Sequence, residues 1–242
     1  MMEESFARVE TKYMLTPEQE EAIEACLRRR GFSWTDFDSP AVQSLYYDTP
    51  DHQLIRDSLE RPRYKEKLRL RAYGAPGTQS MSFVEVKKKY NGVVYKRRAA
   101  LPLQEAVSGL RLASLPEAAG QVGREALWLV KRYGLSPSAV IAYDRYAWFS
   151  GREPEIRITF DRNLAFRAHD LDLTSRAENT VFTRPDQRLM EIKTGGTYPL
   201  WLTRLLWETR AERIHYSKYG YAYRHYIQSA GGKSTKGADY HV

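Results

Sequence analysis

The residues of this chain best suited to chemistry are cations set two apart. Lysine or arginine stands at 65, 67, 69 and 71 in the run YKEKLRLRAYG (64–74), and again within FVEVKKK (83–89) and YKRRAAL (95–101). Alternate side chains of an extended strand share a face. Lys65, Lys67, Arg69 and Arg71 therefore line one face, and Glu66, Leu68, Leu70 and Ala72 the other. Phe83, Glu85, Lys87 and Lys89 fall together, opposite Val84, Val86 and Lys88. Asn91-Gly92 reads as a type I′ hairpin turn, and Lys96 and Arg98 share a face of the strand after it. A solvated basic sheet surface would explain one such row. Three in succession are harder to explain so, because like charges on paired strands repel, and they call for an anion. Guanidinium forks grip phosphate bidentately while lysines act as point charges. A crowd of both suits closely spaced phosphates and phosphoryl transfer, where positioning and neutralisation supply most of the catalysis.

The carboxylates that alternation places among these cations are few: Glu10, Glu85, Asp161 and Glu191. Lys12, Lys87 and Lys193 follow Glu10, Glu85 and Glu191 by two residues. Cross-strand ion pairing is one reading. The other is a hard divalent cation, since Mg²⁺ or Mn²⁺ takes one or two carboxylates and completes its shell with phosphate oxygens and water. Glu191 is the foremost candidate, being the acid most central in an apolar strand. Other chemistries lack their residues. No His/Cys set has zinc-ligand spacing, and no Gly-x-Ser-x-Gly elbow or triad is present. GGKST at 231–235 has Ile227 where a P-loop needs its first glycine. Tyrosines 46, 47, 64, 73, 90 and 95 could stack bases along a basic groove, but buried acids in the same rows argue against nucleic acid, and none is expected as a partner.

The elements that must carry these residues are mostly strands. With 242 residues, 42% hydrophobic and a formal charge of +8, the chain can bury a proper core and favours anionic partners. A single cysteine, Cys26, excludes an intrachain disulfide and fits a reducing compartment. No apolar leader opens the chain and no run reaches the ~18 apolar residues of a membrane span, so a soluble chain is expected. Strands are predicted at Phe6–Leu15, Val42–Asp48, the basic runs, Ala139–Phe149, Glu155–Leu164 and Arg188–Thr194. Thr16-Pro17-Glu18-Gln19 predicts a capped helix start, with Gly31 ending that helix. Further helices are predicted after Asp51, between Leu103 and Tyr133 with breaks at Pro116, Gly120 and Gly123, from Pro199 to about Arg213, and after Ser217. About eight strands with one charged face each suit either an open sheet or a closed barrel with a polar lumen. The Gly-rich end, 229–242, reads as a disordered tail after one domain spanning 1–228.

Taken in order, ETKY (10–13), YYDT (46–49), KLRLRAYG (67–74), FVEVKKK (83–89), YKRRAAL (95–101), YDRYAW (143–148), RITFD (157–161), LMEIKT (189–194) and SKYG (217–220) resemble the VTC-type polyphosphate polymerase domain. That domain belongs to the triphosphate tunnel metalloenzyme, or CYTH-like, superfamily. The resemblance implies an α+β fold whose antiparallel eight-stranded closed tunnel barrel has a basic lumen and flanking helices. It also implies that the terminal phosphoryl group of ATP moves to a phosphate or polyphosphate acceptor with Mn²⁺ or Mg²⁺ assisting. Carried over by position, Lys12, Arg69, Arg71, Lys87, Lys96, Arg157 and Lys218 would hold phosphate, and Glu191 would bind the metal, with Glu10 as a second metal candidate. Arg98 and Lys193, on the charged faces, complete the expected phosphate-binding set. Lys12, Arg69, Arg71, Lys87, Arg157 and Glu191 form the expected catalytic group.

Two departures qualify the match. CYTH-type triphosphatases carry Glu-x-Glu-x-Lys in the first strand, where this chain has Arg8-Val9-Glu10-Thr11-Lys12, which argues against a two-metal hydrolase. His215 stands where the family usually has a further lysine. The alternatives to a polymerase are a tunnel triphosphatase acting on tripolyphosphate or nucleoside triphosphates, and a polyphosphate or nucleotide sensor without turnover. Expected partners are ATP or another nucleoside triphosphate, inorganic polyphosphate and, by family habit, a membrane-embedded protein. The expected location is the cytoplasm, or the inner face of a membrane through that partner.

Overall fold

The computed structural model describes residues 9–35, 41–60, 62–91 and 93–228. The start of the first predicted strand with Arg8, the turn residue Gly92 and the expected tail 229–242 lie outside the described residues.

Eleven strands form one mixed-length antiparallel sheet: β1 (Val9–Leu15), β2 (Ser33–Thr35), β3 (Ala41–Asp48), β4 (Tyr64–Tyr73), β5 (Met81–Tyr90), β6 (Val93–Pro102), β7 (Ser136–Phe149), β8 (Arg157–Arg167), β9 (Thr180–Val181), β10 (Arg188–Thr194) and β11 (Arg213–Ile214). Their order is β11-β1-β10-β8-β7-β3-β4-β5-β6, with β2 on β7 and β9 on β8. The expected eight-stranded closed barrel is therefore incorrect: the sheet is open. The reason is local. The free edge of β1 is taken by β11, which pairs Lys12 with Ile214 and Tyr13 with Arg213, and not by β6. At the other end β6 exposes Val93 to Arg98, including three consecutive cations, and edge charge of that kind discourages pairing. The sheet nevertheless curls, since Lys12 of β1 and Lys67 of β4 both reach adjacent residues, donating to the Tyr216 carbonyl and to Ser217 Oγ.

Helices cover the convex side. α1 (Pro17–Arg29) begins as its sequence requires: Thr16 accepts from the Gln19 amide at 3.3 Å while Gln19 Oε1 accepts from the Thr16 amide at 2.8 Å. Its Ile23 and Leu27 join Trp148, Ile158, Phe160 and Ile192 in one core, which α5 (Leu200–Glu208) completes with Leu202 and Leu205. α3 (Leu103–Leu112) and α4 (Gly120–Tyr133) cover Leu68, Leu70, Val84 and Val86 of the basic strands. The two are parted by a short 3₁₀ turn at Glu117–Ala119, between the predicted breaks at Pro116 and Gly120, whereas Gly123, also predicted as a break, lies inside α4. α5 is shorter than the sequence suggested. It ends at Thr209, Arg210 turns through φ +51°, and the chain returns as β11.

The concave side has an apolar end and a polar middle. α2 (Gln53–Leu59) and α6 (Lys218–Ala222), continued by a π-helical turn at Tyr223–Ile227, close the apolar end with Ile55, Tyr219 and Tyr223 against Tyr46, Ile141, Leu164 and Leu189. Asp48 anchors this end, accepting from the amides of Thr49, Leu54 and Ile55 and from the Tyr219 hydroxyl. Gly220 lets α6 approach α2, since a Cβ there would stand 2.8 Å from a Leu59 methyl.

Candidate functional site

Two carboxylate-centred clusters and a row of lysines fill the polar middle of the concave face. The first cluster surrounds Glu85, which is only 2% exposed. Arg69 Nε donates to its Oε2 at 2.6 Å, Arg71 Nε stands 3.8 Å away, and Lys96 Nζ is 2.6 Å from Oε1. Register accounts for the meeting, since Glu85 lies between Arg69 on β4 and Arg98 on β6. Burial alone would raise the Glu85 pKa, but Arg69, Arg71 and Lys96 outweigh it and hold the carboxyl well below its usual range. Arg69 also donates to the Tyr46 hydroxyl at 2.9 Å, and Arg71 to Ser44 Oγ at 3.2 Å and the Tyr143 hydroxyl at 3.1 Å. Arg98 extends over the Phe83 ring, 4.9 Å from its centre.

The second cluster joins β1, β7, β8, β10 and α6. Arg145 of β7 grips Asp161 with Nε and Nη2, both at 2.6 Å, and Nη2 also reaches Glu191 at 3.1 Å. Lys218 Nζ stands 2.5 Å from Asp161 and 2.9 Å from Glu191. Burial pushes Glu191 up, yet Lys218, Lys12 and Arg145 together hold it well below the ordinary carboxylate range. The same carboxylates raise Lys218 against its own burial. Lys12 Nζ lies 3.6 Å from both Glu10 and Glu191, and Lys193 Nζ lies 3.8 Å from Glu10.

Between the clusters Lys67, Lys87 and Lys96 stand abreast on β4, β5 and β6. Burial, then mutual repulsion, lowers Lys67 to about 7, with Lys87 the nearest cause and Lys65, Lys12 and Arg69 behind it. Burial lowers Lys96 to about 8, with Glu85 opposing it. The chain before α6 crosses this region. Lys12 donates to the Tyr216 carbonyl at 2.9 Å, Lys67 to Ser217 Oγ at 3.3 Å, and Lys218 reaches the second cluster.

No group of three or more His, Cys, Asp or Glu placed to hold a metal ion is gathered among the described residues. Glu10 and Glu191, facing each other across Lys12, do supply the one or two carboxylates that Mg²⁺ or Mn²⁺ uses when phosphate oxygens and water fill the remaining positions. The donor set fits a cation arriving with a phosphate chain.

A family model described as the VTC domain matches residues 7–227. The chain belongs to the VTC domain family. No curated protein matches it. Among solved structures, a candidate adenylate cyclase from Bacillus halodurans shares the fold with a TM-score of 0.52 at 14% identity, over 87% of this chain and 95% of that one. A candidate adenylate cyclase from Vibrio parahaemolyticus gives 0.49 at 14% identity over 95% and 100% of the two chains. The PH1819 protein from Pyrococcus horikoshii gives 0.46 at 14% over 90% and 98%.

This VTC domain brings most of the expected residues together. Lys12, Arg69, Arg71, Lys87, Lys96, Lys193, Lys218, Glu10 and Glu191 meet on the concave face, with Arg98 at its β6 margin. Arg157 is different: it stands exposed at the start of β8, beside Lys193 in register. The arginine inside the second cluster is Arg145, which the sequence reading left unassigned. A shift of register between Ala142 and Asp144 interrupts the alternation of β7, so counting by twos does not carry Arg145's face from the start of the strand. Asp161 and Lys67 also take fuller parts than expected. Lys65, which donates to the Ser58 carbonyl, and Lys88, which stands 2.5 Å from Glu125, lie outside the polar middle. His215 is exposed. No helix among the described residues is long and apolar enough to cross a membrane.

Proposed function

We propose that this VTC domain is an ATP-dependent polyphosphate polymerase, passing the terminal phosphoryl group of ATP to a phosphate or polyphosphate acceptor. The observation that carries the reading is the row Lys67-Lys87-Lys96 flanked by Glu85 and Glu191, which sets lysines abreast in a half-buried face where a polyanion would supply balancing charge. Arg69, Arg71, Lys87 and Lys96 would neutralise the phosphate chain and hold donor and acceptor oxygens in line, and Lys12, Lys193 and Lys218 would take charge that develops on the bridging oxygen. Glu85 partly neutralises Arg69, Arg71 and Lys96 until substrate arrives. Glu191 and Glu10 are the residues to hold a divalent cation, which would neutralise and polarise phosphoryl oxygens. Arg157 and Arg98 would meet a longer chain at the margins of that face. Incubation with ATP and Mn²⁺ should give long-chain polyphosphate. Free phosphate as the sole product would indicate a triphosphatase instead.

A second reading, a polyphosphate-binding module without turnover, draws on the engagement of Glu191 by Arg145 and Lys218. Tight polyphosphate binding in EDTA with no product after long incubation would favour it.

A further inference from the structure

We propose that the tip of the β5–β6 hairpin, with the neighbouring surface of α4, seats this domain on an anionic lipid surface. Large apolar side chains are left uncovered on both faces of the hairpin. Tyr64, Tyr90, Val93, Val94 and Tyr95 are each between 39% and 54% exposed, and Trp128 of α4 is half exposed. Register makes them one patch. Tyr64, Tyr90 and Val93 lie abreast on β4, β5 and β6. Lys88, which pairs with Tyr95, holds its Nζ 5.8 Å from the centre of the Trp128 ring. Val94 turns to the other face, beside Lys89. The tip is tied down at its base, since the Asn91 amide donates to the Arg63 carbonyl at 2.9 Å and the Tyr64 hydroxyl to Glu66 at 2.6 Å.

Behind the apolar tip comes a collar of cations. Lys88 and Arg97 lie on the face that α4 covers, Lys89 lies on the other, Arg132 extends over Trp128 at 5.2 Å, and Arg63 is exposed before β4. The acids here are set back: Glu125 is shared by Lys88 and Arg97, and Glu66 is buried. An aliphatic tip, then aromatic rings, then lysine and arginine is the order in which a bilayer interface passes from acyl chain to headgroup. Anionic headgroups complement the collar, while the lysine stems lie along the rings. Nucleic acid fits less well, because valine offers a base no stacking face and both Lys88 and Arg132 already lie over Trp128. A flat protein partner would cover one face of the hairpin and leave the other wet, whereas lipid closes around both.

Co-sedimentation of the full chain with phosphatidylcholine vesicles, with and without about one-third phosphatidylserine, tests the contact. Wild type should bind the anionic vesicles and leave the neutral ones in solution. Tyr90→Ser combined with Val93→Ser should weaken that binding about tenfold while keeping the wild-type melting temperature. Lys89→Glu combined with Arg97→Glu should weaken it at least about tenfold. Excess tripolyphosphate at matched ionic strength should leave wild type on the vesicles, because the concave site is not the contact. Displacement by tripolyphosphate would overturn the proposal, as would undiminished binding in either double variant. Wild type that ignores the vesicles also overturns it, and if the same residues then hold a single-stranded oligonucleotide, the surface belongs to nucleic acid.

Discussion

Replacing Glu85 by glutamine keeps the side chain's shape and removes the negative charge that three cations share. Breaking a buried ion pair by deleting one partner costs about 3–5 kcal/mol. Here Lys96 is 42% exposed and Arg69 20% exposed, so water relieves part of the repulsion and about 3 kcal/mol is expected. For a chain of this length that lowers Tm by about 6–12 °C. The same change should improve ligand binding, because Arg69, Arg71 and Lys96 lose an internal competitor for phosphate. Thermal denaturation with and without tripolyphosphate separates the two effects. The free variant should melt well below wild type, and saturating tripolyphosphate should raise its Tm by more than it raises that of wild type. An unchanged Tm without ligand, or a smaller ligand-induced gain in the variant, would refute the assignment of Glu85 as the charge that organises the arginines.

Lys67 and Lys96 are both less basic folded than the 10.5 of an ordinary lysine. The unfolded chain thus binds more protons between about pH 7 and 10.5, and stability should rise with pH across that window. Urea midpoints at pH 7 and 9 test this, and Lys67→Met should flatten the slope. Glu85 and Glu191 are depressed, so their contribution is present above about 4.5 and lost as pH falls further; acid titration of the far-ultraviolet signal should show that loss. Arg145→Lys keeps one charge but cannot grip Asp161 with two donors while reaching Glu191, and should lower the urea-derived stability by about 2 kcal/mol. Lys87→Ala and Lys88→Ala alter neighbours on opposite faces: the first should weaken tripolyphosphate binding roughly tenfold and reduce its salt dependence, the second should leave the Kd unchanged.

Features decided by local chemistry were legible in the sequence. The capping box at Thr16 and Gln19, the stop near Gly31 and the alternating cations of β4, β5 and β6 depend on neighbours one to four residues away, and each formed as expected. Closure was not legible. Alternation tells which face of a strand is polar, but says nothing about whether distant edges meet. The strand that occupies the β1 edge is two residues long, too short for any periodicity to reveal. Arg145 was hidden by the register shift in β7. Lys67 was visible on a charged face, yet its lack of an acidic partner among the described residues emerges only when all the strands are folded together.

The segment that keeps the sheet open also builds the site. Once β11 pairs with Lys12 and Tyr13 of β1, the next residues must run across the concave face and not along its edge. That path brings the Tyr216 carbonyl to Lys12, Ser217 to Lys67 and Lys218 to Asp161 and Glu191. A β1–β6 closure would have satisfied the same backbone edge but left those three contacts unmade. Cations outnumber carboxylates around the polar middle, and the arrangement holds without ligand by three means. Acids are shared between several cations, lysines give up protons, and one chain segment bridges four strands. Each of these is relieved when phosphate supplies the missing charge. Binding a polyanion should therefore stabilise the domain more than its contacts with any single residue would suggest.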